Sequence, residues 1–101
     1  MSEVNNHHFK TESGIPNGGS ASGTGFTIVW QRGPLLESGR NGAFIEEILS
    51  AVVSRLEFFQ ESACAHPRNE EAIQHINDAV RSLNSRTEER QARGVEGSYV
   101  K

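Results

Sequence analysis

Cysteine is almost missing from this chain: Cys64 stands alone among 101 residues. One thiol excludes an internal disulfide framework and fits a reducing compartment. Positive charge is short as well, with ten Lys and Arg against thirteen Asp and Glu and a formal net charge of −3. A general DNA or RNA binder needs a cationic excess to displace counterions, so that class is excluded. No apolar run approaches the length that spans a bilayer, and no membrane partner is expected. The first residues carry neither a basic segment nor an apolar stretch, so no secretory signal is read there. Hydrophobic residues reach only 35%, and mean hydropathy is −0.54. The core must therefore be small.

What is present is concentrated after residue 24. Residues 1–24 are rich in Asn, Ser and Gly with almost no apolar periodicity, and are expected to be a disordered tail. Residues 25–101 are expected to form the one folded domain. Phe26, Ile28 and Trp30 alternate with Thr27, Val29 and Gln31, a strand pattern stopped by Gly33-Pro34. A lone strand leaves backbone groups unpaired, so it must pair with another segment or another copy.

Two amphipathic helices follow. The first is expected to start near Asn41 as N-cap, with Ile45, Ile48, Leu49, Val52, Leu56, Phe59 and Ala63 in one stripe. Phe44, Val53 and Phe58 widen that stripe. Pro67 suits the first turn of the second helix, whose stripe is Ala72, Ile73, Ile76, Val80 and Leu83. Gly94 suits its C-terminal stop. The short connection at Cys64–Pro67 makes the helices antiparallel. The expected fold is mainly α: a two-helix antiparallel hairpin preceded by a short strand and a disordered tail. About 75 folded residues make a marginal core, so association of copies is expected.

Each candidate site has a plainer rival. Arg86, Arg90 and Arg93 share one side of the second helix and can hold phosphates by bidentate hydrogen bonds. Complementing the helix C-terminus and pairing with Glu88, Glu89 and Glu96 is the plainer and favoured reading. Asn69 and Thr87 fall on the apolar sector, where a polar group needs a partner such as a ligand or a second subunit. Asn69 can equally cap the first turn, and for Thr87 a bond back to the i−4 carbonyl is favoured. Trp30 is better suited to packing than to stacking on a base. Arg68, beside a helix N-terminus, is either an anion grip or a solvated side chain. His7-His8, His66, His75 and Cys64 have no partners at catalytic or metal-ligand spacing. The glycine-rich stretches lack the lysine and context of a phosphate loop. No enzyme, cofactor or metal is expected.

From Phe26 onward the chain resembles a family of small phage proteins with a helical-hairpin domain, the sponges that counter the bacterial CBASS and Thoeris immune systems. The resemblance rests on Trp30-Gln31 before Gly-Pro, Asn41-Gly42-Ala43-Phe44, Arg55-Leu56, Arg68-Asn69-Glu70 and Ala79-Val80. It continues through Arg86-Thr87-Glu88-Glu89-Arg90 and Arg93-Gly94-Val95-Glu96-Gly97. The strand before the helices is more like the anti-Thoeris branch. The resemblance implies binding, without cleavage, of cyclic di- or trinucleotides or cyclic ADP-ribose isomers. It also implies a homo-oligomer, dimer to hexamer, in the cytoplasm of the infected host. Donors for phosphates would come from Arg68, Arg86, Arg90 and Arg93. Trp30 and Phe44 would offer stacking faces, and Asn69 and Asn84 would read base edges or ribose. Asn41 and Thr87 complete the implied ligand-binding set. The alternative is a small structural or interaction protein, a helical hairpin with no small-molecule ligand.

Overall fold

The computed structural model describes residues 3–92, which divide into two compact units meeting in sequence between Phe44 and Ile45. The first unit holds a three-stranded antiparallel sheet in the order β1-β2-β3, with β1 Asn5–Lys10, β2 Pro16–Gly23 and β3 Phe26–Trp30. Its register sets Gly19, Ala21 and Gly23 opposite Trp30, Ile28 and Phe26. Small residues on β2 thus face the large side chains of β3. The Phe26 ring lies directly over Gly23, and Ala21 is 6% exposed. On the other face Ser20 and Ser22 lie between Asn5 and His7 of β1 and Thr27 and Val29 of β3.

After β3 the chain turns through Pro34, which is buried, into a single helical turn, α1 Leu35–Ser38. It then returns to the sheet. Ala43 bridges Trp30 in parallel fashion, donating to the Val29 carbonyl at 2.7 Å and accepting from the Gln31 amide at 3.0 Å. Gly42 passes so close to Trp30 that a Cβ there would stand 2.5 Å from the Trp30 carbonyl carbon and 2.6 Å from the Gln31 nitrogen. Only glycine allows that approach.

The second unit is a pair of helices, α2 Ile45–Gln60 and α3 Pro67–Ala92, packed on each other. Both carry acidic residues in the first turn, Glu46 and Glu47 in α2 and Glu70 in α3, where the helix dipole favours them. On α3, Asn69, Ile73, Ile76, Val80, Leu83, Thr87 and Arg90 recur at alternating steps of four and three, and all are at least partly buried. That is the seam pattern of antiparallel helix packing. Ile73 is its buried centre at 7% exposure, and burying such a side chain contributes about 1.5–3 kcal/mol. On α2 the Arg55 guanidinium lies 5.1 Å from the Phe58 ring centroid and 5.3 Å from that of Phe59, partly covering their aromatic surface.

The fold is therefore mixed α/β, and the mainly α helical hairpin expected from the sequence is corrected. Residues 5–23, expected within a disordered tail, supply two of the three strands. Their compositional polarity does not prevent pairing, because small side chains on β2 let β3 pack across them. The strand at Phe26–Trp30 pairs within its own chain. The first helix starts at Ile45, later than the Asn41 cap predicted, because Asn41 is engaged elsewhere.

Candidate functional site

In the strand unit, two side-chain amides lock the loop after β3. Asn41 Oδ1 accepts from the Arg32 amide at 2.8 Å, and its Nδ2 donates to the Arg32 carbonyl at 2.8 Å. Gln31 replies in kind. Its Oε1 accepts from the Asn41 and Gly42 amides at 2.9 and 3.1 Å, while its Nε2 donates to the Gly39 and Gly33 carbonyls at 2.7 and 3.3 Å. Both amides are used by backbone, so Asn41 is a clasp for this loop in place of a helix cap. The clasp sets Ala43, the residue before Phe44, beside half-buried Trp30. Above Phe44 sits the Arg40 guanidinium, 4.5 Å from the ring centroid, its Nε donating to the Gly42 carbonyl at 2.6 Å. A cation fixed over an aromatic face is suited to anionic, planar ligands. Arg40 was not among the predicted residues; residues 40–44 are not helical, so no spacing rule marked its contact with Phe44.

In the helical unit, Asn69 ties the turn together. Its Nδ2 donates to Gln60 Oε1 at 2.9 Å and to the Cys64 carbonyl at 3.2 Å. The same Gln60 oxygen accepts from the His66 amide at 2.9 Å. His66 Nδ1 accepts from the Arg68 amide at 3.0 Å, so the imidazole serves as the cap of α3. Asn69 itself closes the turn, which explains its place on the apolar sector. Arg68 pairs with Glu71 at 2.8 Å, both side chains more than half exposed at 78% and 51%. Thr87 Oγ1 donates to the Leu83 carbonyl at 3.3 Å, the plainer of its two readings. Asn84 and Arg86 are exposed, and Arg90 is half-buried. Arg93 lies outside the described residues.

The predicted residues thus fall into separate groups. Trp30, Asn41 and Phe44 belong to the strand unit; Arg68 and Asn69 sit at the turn of the helix pair; Asn84, Arg86, Thr87 and Arg90 sit toward the end of α3. An open recess of about 260 Å³ on the helix pair is lined by Glu57, Gln60, Glu61, Glu70 and Ile73. It contains none of the predicted residues, and its carboxylates repel phosphate. Among the described residues no group of three or more His, Cys, Asp or Glu is placed to hold a metal ion. No helix among them is long and apolar enough to cross a membrane.

No protein-family model matches the chain. Among curated proteins it is 41% identical over 75 residues to Thoeris anti-defense 1 of Bacillus phage SBSphiJ7. The alignment covers 74% of this chain and 53% of that protein. The chain spans about half the length of the curated relative it matches. Of the two branches in the resemblance read from the motifs, this relative stands in the anti-Thoeris one. By that identity across three-quarters of its length, the chain belongs to the Thoeris anti-defense 1 family.

Proposed function

We propose that this chain counters Thoeris immunity by binding a cyclic ADP-ribose-type or cyclic oligonucleotide signal and holding it uncleaved, in the cytoplasm of an infected host. The observation that carries this reading is the 41% identity to Thoeris anti-defense 1. The side chains available for such a ligand are consistent in kind. Exposed Arg86 and half-buried Arg90 lie on one side of α3 and offer forked donors for phosphate. Exposed Arg68 offers another at the N-terminal end of the same helix. Phe44 beneath the Arg40 guanidinium, together with half-buried Trp30, offers aromatic surface for a base. Retention without turnover needs no nucleophile, base or metal in this account, and none is assigned.

We propose further that the working form is a homo-oligomer. Apart from Pro34, Ala21 and Ile73 are the buried apolar side chains among the described residues, whereas Leu36 is 80% exposed, Phe9 58%, Val29 57% and Phe58 56%. Apolar area left in water on this scale is what association of copies removes.

The Arg86→Ala and Arg90→Ala variants test the ligand assignment by isothermal titration with cyclic ADP-ribose isomers. A lost hydrogen bond to a charged group weakens binding by about 1.5–3 kcal/mol, about ten- to a hundredfold in Kd. Unchanged affinity for both variants, at unchanged oligomer mass, removes these residues from the site.

A further inference from the structure

The strand unit carries the dipeptide Asn-Gly twice, at Asn17-Gly18 and at Asn41-Gly42. Asparagine is a thermolabile residue, and most so before glycine. With no side chain on the following residue, the glycine nitrogen can reach the carboxamide carbon unhindered. At Asn41 the chemistry has two steps. The Gly42 amide gives its proton to hydroxide, and its nitrogen bonds to the Asn41 Cγ. The Cγ–Nδ2 bond then breaks, Nδ2 takes a proton from water and leaves as ammonia, and a cyclic imide remains. Water opens the imide at either carbonyl, giving aspartate or isoaspartate.

The loop after β3 needs this labile dipeptide. Asn41 accepts from the Arg32 amide and donates to the Arg32 carbonyl, both at 2.8 Å, a task for a group with an acceptor and a donor. A Cβ on residue 42 would stand 2.5 Å from the Trp30 carbonyl carbon. Neither residue can be exchanged for a more durable one without loosening the loop.

The same bonds restrain the reacting atoms. The attacking nitrogen of Gly42 donates its proton to Gln31 Oε1 at 3.1 Å. Both ends of the Asn41 carboxamide are anchored on Arg32, so Cγ cannot swing toward Gly42 while those bonds hold. Asn17 differs, for its Oδ1 is buried and accepts no hydrogen bond from any described residue.

We propose that Asn41 is a latent deamidation site, kept closed by the Gln31–Asn41 clasp and converted only when the loop opens. Each net hydrogen bond favours the closed form by a factor of about two to ten, so three together slow ring closure about ten- to a thousandfold. Conversion runs one way. The carboxylate of either product cannot donate to the Arg32 carbonyl, so the original clasp does not re-form. The inference concerns the loop's own chemistry and holds whether or not the chain binds a signal.

Peptide mapping by mass spectrometry tests this on the full chain aged at mildly alkaline pH, native against denatured in guanidinium. In the denatured chain Asn17 and Asn41 are expected to convert alike. In the native chain Asn41 is expected to lag its denatured rate by about tenfold or more. Native conversion at Asn41 that keeps pace with the denatured chain overturns the proposal. Gln31→Ala removes the acceptor for the Gly42 amide and is expected to speed native conversion at Asn41 severalfold, with the sheet amides still protected from exchange. An unchanged rate in that folded variant also overturns it. If the variant loses its sheet, the wild-type comparison decides alone.

Discussion

Gly42 carries a constraint that no side chain satisfies. A methyl group there meets the Trp30 carbonyl and the Gln31 amide at 2.5–2.6 Å, and both are held backbone groups that cannot swing aside. Gly42→Ala is expected to destabilise the strand unit by about 1–3 kcal/mol, the scale of overpacking at a site that cannot relax. Chemical denaturation followed by Trp30 fluorescence would measure it, and a change under 0.5 kcal/mol would contradict the clasp. The residues around it show how far local sequence can be read. Asn41 was recognisable as special, and its position before a helix suggested a cap. Its true partners, the Arg32 backbone and Gln31, lie nine and ten positions back, a separation no capping rule covers. Thr87 was legible because its partner, the Leu83 carbonyl, is one turn away on the same helix. Arg68 and Glu71 are an exposed i, i+3 pair of the kind that adds little to stability. Replacing Arg68 therefore reports on ligand contact with little interference from folding.

At the scale of elements, the periodic segments were the readable ones. The apolar positions of α3 recur at helical spacing from Ile73 to Leu83, and Pro67 begins the helix as its fixed φ requires. The alternation Phe26, Ile28, Trp30 likewise foretold β3. By contrast, Pro16–Gly23 reads PNGGSASG and contains one apolar side chain, Ala21, too little for a strand pattern. Its strand character depends on what lies opposite: glycines and serines there leave room for the large residues of β3, and only the tertiary pairing reveals it. The β1 strand, with polar residues on both faces, depends on β2 in the same way. In the helix pair, Ile73 is the residue most enclosed, so Ile73→Ala should cost about 2–5 kcal/mol through lost burial and the cavity left behind. Thermal unfolding monitored by helical circular dichroism checks this. A loss below 1 kcal/mol would mean that the α2–α3 seam is not what holds the pair.

At the scale of the whole molecule, both small units leave large apolar side chains exposed, and neither has a large fully buried side chain among the described residues. Such units gain most from association, which the exposed apolar residues of both invite. The family motifs were legible over about three-quarters of the chain, and the curated relative matches 75 of its residues. The first two strands were not, since no motif and no periodicity marks them. The central claim, capture of a signal without its destruction, is tested most directly by titrating the wild-type chain with cyclic ADP-ribose isomers and cyclic di- and trinucleotides in a calorimeter. The complex is then heat-denatured, and the released ligand is identified by chromatography. The account predicts saturable binding of at least one of these ligands and its recovery with mass and retention unchanged. Absence of heat with every ligand, or recovery of a cleaved product, would contradict it.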